Sequence, residues 1–254
     1  MMDVIYDKLE EISACKKDIK DVITSKGYNV GDNITEYADV IRSMNISSDV
    51  PVIPNGTSFR YSDLKFFPSM DTSNVIDMNG IFAHCDKIEV SPIIDTSSVT
   101  NMDSMFGECT GLKEVSLMDT SNVMNMDHMV AFCDKLSIFP PLDTSKVTNF
   151  DGTWRGCTSL RSLPLLDFSS AEEIGQLTFN AGSLVNFGGF RGLKKSLHLS
   201  YTSISEESFK NIIEQADTLT SPQTFYLGDN ISKMSEETIA WANSKRWIVS
   251  GNRY

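Results

Sequence analysis

The sequence has no hydrophobic run of membrane-spanning length and few positive charges. No stretch approaches the roughly 18 consecutive apolar residues that a membrane-spanning helix needs. Only 22 lysines and arginines stand against 34 aspartates and glutamates, which gives a formal net charge of −12. Nucleic-acid binding and adsorption to anionic membranes both depend on basic patches. The composition therefore predicts no nucleic-acid partner and no membrane insertion.

Motifs that carry catalysis are also missing. The chain has three histidines, and it shows no Ser-His-Asp set, glycine-rich phosphate loop or zinc-binding pattern. At the repeat interval described below, the position of His84 holds Glu108, Phe132 and Gly156, so it is interpreted as one that tolerates any side chain. We expect a non-enzymatic protein with no catalytic residue, no cofactor and no metal site.

The first residues do not resemble an export signal. Charges occur throughout residues 1–20, and the apolar core of a secretory signal is missing. Ile12-Ser13-Ala14-Cys15 fits the short pattern of bacterial lipoprotein cleavage sites, but the acidic residues before it disfavour translocation. We expect no lipid on Cys15 and no export by this route.

What the sequence does have is a 24-residue repeat, unbroken over five units. Self-similarity of this kind is typical of stacked units, none of which can bury its apolar face alone. Equivalent positions of successive units form columns of similar residues. Proline, valine, methionine and leucine each recur in such a column, and the aspartate and cysteine columns are the clearest. The aspartate column is Asp71, Asp95, Asp119, Asp143 and Asp167, and the cysteine column is Cys85, Cys109, Cys133 and Cys157.

Residues 95–118 illustrate one unit. Asp95-Thr96-Ser97 has turn and N-cap chemistry, because its side-chain oxygens accept hydrogen bonds from free amides. Apolar residues at helical spacing follow, and then a short apolar stretch typical of a strand. We predict an α/β solenoid in which each unit contributes a short helix and a brief, parallel-paired strand. The helical residues are Val99, Met102, Phe106 and Cys109, and the strand residues are Leu112, Val115 and Leu117.

Two columns leave a choice between a structural role and metal binding. The cysteine position holds Tyr61 one repeat earlier and Ala181 one repeat later, which favours buried free thiols that fill space. A metal ladder or a disulfide framework is the alternative, although CxxC and Cys/His pairs are absent. The aspartates either accept local N–H bonds in turns or hold calcium between units, and the glycine-rich pattern of calcium β-rolls is missing.

The head of the chain predicts a helix over residues 3–26. Its apolar residues recur at heptad spacing in two series, which is the a/d seam of a coiled coil with Lys16 at one core position. The head either closes on itself as a hairpin or joins the chain to sister copies or to a larger assembly. The seam residues are Ile5, Leu9, Ile12, Ile19 and Ile23.

The remaining organisation follows from where the period begins and ends. We predict a helical attachment and oligomerisation module (1–46), a linker (47–58), a solenoid (59–196) and C-terminal capping repeats (197–254). In the last region strands are expected at 197–199, 225–227 and 247–249, with helices that begin at Ser205 and Ser235.

One strand position in each unit is predicted to be exposed, and its side chain varies from unit to unit. Variable side chains on a constant scaffold are how repeat proteins acquire partners. Drift on a solvated face produces the same variation, and both interpretations stay open. The residues are Phe66, Val90, Glu114, Ile138 and Ser162.

The repeat closely resembles the BspA-type leucine-rich repeat. The matching string is Asp95-Thr96-Ser97, Val99, Asn101-Met102, Met105-Phe106, Cys109 and Leu112, and the resemblance covers roughly residues 59–190. Residues 225–249 resemble the closing segment of such proteins from gut Bacteroides-type bacteria and their phages. Residues 16–44 resemble a short helical module near the start of many phage tail and virion proteins. The resemblance implies a leucine-rich-repeat interaction scaffold without catalytic residues.

Two functions follow from this resemblance. The first is a phage virion or tail-associated component that is assembled in the host cytoplasm and binds other virion proteins or a host surface receptor. The second is a bacterial cell-surface adhesin or host-interaction protein. The lack of a recognisable export signal and the N-terminal module both favour the first, an intracellular scaffold is a further alternative, and the seam predicts a homo-oligomer.

Overall fold

The computed structural model describes residues 52–63, 65, 67 and 70–252. The chain divides into two compact units, Met1–Pro51 and Val52–Tyr254, and every described residue belongs to the second. The predicted head helix, its seam, Cys15 and Phe66 lie outside the described residues. Within the described part, no helix is both long and apolar enough to cross a membrane.

Consecutive 24-residue units pair in parallel, each with the next. Single β-bridges link Asp77, Asn101, Asn125, Asn149 and Glu173 into one row. A second row joins Val90, Glu114 and Ile138 in the same way. Because each bridge joins equivalent positions of successive units, equivalent side chains lie one above another at the spacing of paired strands, about 4.8 Å.

Further along the chain the units pair through two short parallel sheets. Strand β1 (Ser162–Leu163) pairs with β3 (Asn186–Phe187), and β2 (Leu166–Asp167) pairs with β4 (Phe190–Arg191). Ser162 pairs with Asn186, which is again the equivalent position of the next unit. Leu166 pairs with Phe190 and Asp167 with Arg191 at the same interval, so the regular register extends to residue 191.

The helix predicted in each unit does not form. In residues 102–108 the even-numbered N–H groups donate to carbonyls of the next unit, at 2.7–2.9 Å, as Met102 does to Asn125. The odd-numbered N–H groups of 105–109 donate three residues back, at 2.9–3.2 Å. An α-helix needs every amide to bond four residues back, and here half of the amides bond between units. The apolar spacing arises from a succession of turns. The predicted strand is a single bridge at Glu114, and Leu117 is exposed rather than buried.

The second half of the predicted linker packs on the first unit. Val52 forms a parallel bridge with Asp71, and the N–H of the buried Ile53 donates to the Asp71 carbonyl at 2.9 Å. The Asn55 side-chain oxygen accepts from the N–H of Ile76 at 2.7 Å and of Asp77 at 3.3 Å. This segment lacks the aspartate and cysteine columns, so the sequence pattern does not mark it as part of the stack.

The core is a continuous set of buried side chains that runs through the units. The Phe82 ring stacks on Phe59 at 5.8 Å and on Phe106 at 5.4 Å between centroids, and Trp154 fills the same column further on. Each fully buried ring contributes roughly 1.5–3 kcal/mol of hydrophobic stabilisation. The valine column (Val75, Val99, Val123, Val147) and the leucine-like column (Ile88, Leu112, Leu136, Leu160, Leu184) are buried as the period predicts.

The C-terminal elements lie where the sequence predicts them. Helix α1 (Glu206–Gln215) follows the N-cap Ser205, and α2 (Glu236–Ser244) follows the N-cap Ser235. Strands β5 (Leu197–His198), β6 (Gln223–Tyr226) and β7 (Trp247–Ser250) form a parallel three-stranded sheet, and a 3₁₀ helix spans Gly228–Lys233. In α1, Phe209, Ile212 and Ile213 are buried, as expected.

Side chains at the ends of α1 and α2 form hydrogen bonds with polar groups at the ends of the other helix. The Glu206 carboxylate accepts from the Ser235 hydroxyl at 2.5 Å, the Thr238 hydroxyl at 2.6 Å and the Ser235 N–H at 3.0 Å, which lowers its pKa to about 2. The Lys245 ammonium donates to the carbonyls of Ile213 at 2.7 Å and Ala216, which α1 leaves free. Helix termini need such partners because their last amides and carbonyls have none within the helix.

Candidate interaction surface

Four of the five predicted partner-binding residues in the repeats lie at equivalent, exposed positions of successive units. Val90 pairs with Glu114, Glu114 with Ile138, and Ser162 with Asn186, and all four predicted residues are exposed. Val90 is 51% exposed and Ile138 is 55% exposed. We call Val90, Glu114, Ile138 and Ser162 the bridge row. The fifth residue, Phe66, and the head seam lie outside the described residues.

Alternation of side chains explains why the bridge row faces solvent. The next residue in each unit turns inward, and Ser91, Val115, Phe139 and Leu163 are all buried. Backbone bonds fix this register, as the N–H of Ser137 donates to Lys113 at 2.9 Å and that of Val185 donates to Arg161 at 3.0 Å. A one-residue slip would exchange the buried and exposed sets.

In each unit the residue that precedes the bridge row belongs to a parallel row beside it. Glu89 and Lys113 form an ion pair at 2.7 Å, and this bond lowers the pKa of Glu89. Both side chains are more than half exposed, and exposed ion pairs contribute little to stability. The two rows together present apolar, charged and hydroxyl side chains on a backbone of constant register.

A second column of equivalent positions has a backbone conformation that the sequence reasoning missed. Its residues share a left-handed backbone, with φ between 59° and 73°, which favours glycine or asparagine. His84 occupies this column, so the position is not indifferent to its side chain: the left-handed backbone costs least with glycine or asparagine. Gly156 and Asn180 are the residues from which this conformation could have been predicted in the sequence. The column is Tyr61, His84, Glu108, Phe132, Gly156 and Asn180.

Tyr61 corrects the assignment of the cysteine column. It is 69% exposed and stacks on His84 at 4.4 Å between ring centroids, and its N–H donates to Ala83. Tyr61 therefore belongs one position earlier than the repeat interval places it, beside His84 rather than Cys85. Ala181 is buried in line with Cys157, as predicted.

The left-handed column carries an aromatic and cationic cluster. The Arg155 guanidinium lies 5.3 Å from the Phe132 ring and 5.3 Å from the Phe179 ring. Phe132 lies over Gly156, where a Cβ would meet the ring at 2.6 Å. Glycine at this position thus makes room for the ring of the preceding unit.

The aspartate column has the turn role that the sequence favours. The Asp95 carboxylate accepts from the Ser97 hydroxyl at 2.7 Å and from the Ser97 N–H at 2.9 Å, which lowers the pKa of Asp95. The equivalent serines lower the pKa of Asp71, Asp119 and Asp143 in the same way. Within the described residues no group of three or more His, Cys, Asp or Glu side chains is arranged to hold a metal ion.

The threonine after each aspartate joins neighbouring units. The Thr96 hydroxyl donates to the Asp119 carbonyl at 2.7 Å, and the Thr120 hydroxyl donates to the Asp143 carbonyl at 2.8 Å. Thr72, Thr96, Thr120 and Thr144 are all buried, so each bond satisfies a hydroxyl group that has been removed from water. The Asp-Thr-Ser string thus closes a turn and links it to the next one.

The cysteines do more than fill space. The Cys133 thiol donates to the Phe106 carbonyl at 3.1 Å, and the equivalent bond joins Cys109 to Phe82 at 3.0 Å. All four column cysteines are free and buried, as predicted. Burial raises the pKa of Cys109 and of Cys157 to about 12, and it raises the pKa of Cys85 and Cys133 as well. Such thiols are poor nucleophiles.

Comparison with known proteins gives one match. Residues 56–164 match the family described as "Mycoplasma protein of unknown function, DUF285", which is associated with BspA-like repeat proteins. No curated protein and no solved structure matches the chain. Over less than half of its length, in the units that carry the bridge row, the chain is therefore similar to a family of repeat proteins without an assigned function.

Proposed function

We propose that this chain is a non-enzymatic interaction protein. It is a leucine-rich-repeat solenoid, closed by its C-terminal region, that displays the bridge row to a partner. The observation that carries the proposal is the contrast between the constant register of the bridges and the changing side chains that they present. Val90, Glu114, Ile138 and Ser162 differ in size and charge, whereas the buried residues that follow them keep the same role.

Binding through the bridge row is tested by reversing its apolar character. Val90→Glu combined with Ile138→Glu changes two exposed side chains, so the fold is expected to persist. The matched control is Ile93→Glu with Leu117→Glu, which changes exposed apolar residues outside the row. With fluorescent full-length protein and intact Bacteroides-type cells as the probe, the row variant should lose at least about tenfold in affinity. Equal binding by the row variant and the wild type would refute the proposal.

We further propose that the protein is a phage virion or tail-associated component. The support is the resemblance of residues 16–44 to a helical module of such proteins. Mass spectrometry of purified virions tests this assignment, which predicts stoichiometric recovery of the chain. Recovery from the bacterial surface and not from virions would favour the adhesin alternative.

The head is proposed as the attachment module, which joins copies of the chain to each other or to the particle. A chain that starts at residue 47 keeps the segment that packs on Asp71, so it tests the head without removing part of the stack. Sedimentation should show a smaller assembly for the shortened chain than for the full chain. An unchanged oligomeric state together with normal incorporation would contradict this role.

A further inference from the structure

A cavity of about 460 Å³ opens on the surface beside the bridge row. Three cationic side chains line it: Lys113, Lys135 and Arg161. The chain carries 34 acidic residues and a net charge of −12, yet none of the lining residues in the described part of the chain is acidic. Three cations and one paired carboxylate, Glu89 on Lys113, leave an excess of positive charge at this cavity on an otherwise acidic chain, and this excess indicates an anionic ligand.

The repeat itself builds this arrangement. Lys113, Ser137 and Arg161 occupy equivalent positions in successive units, and so do Lys135, Ser159 and Ser183. Three successive units therefore contribute one cation each, at steps of about 4.8 Å along the stack. That step is close to the length of one sugar residue in a chain, so the cations match charges carried on successive sugars.

The remaining lining residues are hydroxyls: Ser137, Thr158, Ser159 and Ser183. The Ser137 hydroxyl donates to the Lys113 carbonyl at 3.2 Å, and the Thr158 hydroxyl donates to the Asp134 carbonyl at 3.3 Å. With their hydrogens engaged, these oxygens keep lone pairs that accept from ligand hydroxyls. No apolar side chain lines the cavity within the described residues, which disfavours an apolar ligand or a peptide anchor.

We propose that this cavity binds an anionic carbohydrate, a sugar chain that carries sulfate or carboxylate groups. Lys113, Lys135 and Arg161 bind the anionic groups, and the hydroxyl side chains bind the sugar hydroxyls. Glu89 is the one carboxylate paired with a lining cation among the described residues, and this pair is exposed, so a ligand anion displaces it at little cost. The proposal rests on the proposed binding function, since it names a ligand class for the face that carries the bridge row.

Calorimetric titration of the full chain tests the proposal with four probes. They are a sulfated disaccharide, an unsulfated uronic-acid disaccharide, a neutral disaccharide of the same size and inorganic sulfate. We expect either or both of the anionic disaccharides to bind at least about tenfold more tightly than the neutral one. The comparison between them shows whether sulfate or carboxylate is the anion. Binding should weaken as salt rises, because the cations are exposed.

Two cavity variants and a matched control complete the experiment. Arg161→Gln and Lys135→Gln should each weaken binding of the preferred disaccharide about tenfold. Lys146→Gln removes an exposed lysine that bonds Asn122, outside the cavity, and should bind like the wild type. Thermal melting of all three variants checks that the fold is intact.

Several results would overturn the inference. They are equal binding of neutral and anionic disaccharides, unchanged binding by Arg161→Gln, or inorganic sulfate bound as tightly as the sugar. A short single-stranded oligonucleotide, titrated in the same way as a competing ligand, overturns the inference in favour of a nucleic acid if it binds more tightly than the sugar. Loss of cell binding in the bridge-row variant together with no sugar binding refutes this inference alone. Sugar binding without cell binding refutes the proposed function alone.

Discussion

Two stretches of equal length, one in the repeats and one near the C-terminus, fold differently. From Asn101 to its bridge partner Asn125 the chain makes turns and one isolated bridge residue, Glu114, and no helix. From Phe225 to its partner Val249 it advances by the same number of positions, and it forms the 3₁₀ helix and α2. Length therefore does not decide the local structure. Residues 236–244, EETIAWANS, favour a helix after the N-cap Ser235, whereas Asp, Asn, Thr and Ser of the repeat favour turns.

The two regions also differ in the acceptors of their backbone N–H groups. In α1 and α2 the amides bond within each helix, and the helices then pack as units. In the repeats the amides alternate between local turns and the next unit, and side chains of threonine, aspartate and cysteine supply further bonds. Both regions share the buried core, but backbone bonds between units are the main secondary structure of the repeats, whereas packed helices cover the parallel sheet of the C-terminal region.

The largest expected effect follows from close backbone contact in the repeats. A Cβ at Gly111 would lie 2.2 Å from the Asp86 carbonyl oxygen, whereas a Cβ at Gly182 would meet nothing within 4 Å. Gly111→Ala should lower the free energy of unfolding by about 3 kcal/mol. Gly182→Ala, the control, should change it by less than about 0.5 kcal/mol. Urea denaturation measures both, and similar values for the two would contradict the tight stacking.

The cysteine column distinguishes space filling from hydrogen bonding. Cys133→Ala should cost about 1–2 kcal/mol, because it leaves a cavity and removes the donor to the Phe106 carbonyl. Cys133→Ser keeps a donor and should cost no more than the alanine variant. If the serine variant is clearly the less stable in denaturation, the thiol is only a space filler.

A smaller change, here an increase in the free energy of unfolding, is expected from a substitution in the left-handed column. Glu108 has φ of 60°, so Glu108→Gly removes backbone strain and should stabilise the fold by about 0.5–1 kcal/mol. Glu114→Gly, at a nearby bridge without positive φ, should instead destabilise it by a similar amount. Thermal melting compares the pair, and the same sign for both would rule out strain as the cause.

The smallest effect is the pH dependence from the aspartate column. The pKa of Asp71, Asp95, Asp119 and Asp143 is lower when folded, so their contribution is present above the ordinary value near 3.8 and is lost as pH falls through the folded values. Melting temperature should decline below about pH 4. Asp95→Asn with Asp119→Asn should decline less, and an equal decline would exclude these carboxylates as the cause.

The sequence predicted the period, the buried columns and the C-terminal helices, because these depend on spacing and on N-cap residues. It missed the absence of a helix in the repeats, since apolar side chains three and four apart also arise from successive turns. It missed the packing of Val52 and Ile53, because that segment lacks the repeat columns. The bridge row was predicted from the repeat interval and from its variable side chains, but the cavity combines different positions of three units, whose proximity the interval alone does not give.

Sequence by itself determined that this chain is built from 24-residue units with buried cysteines and turn aspartates, because equivalent residues recur where the backbone needs them. Only the tertiary structure decided where the amides bond, which residues adopt left-handed φ and which cations converge beside Arg161. Those features depend on contacts between successive units, and a linear pattern contains the spacing but not the geometry.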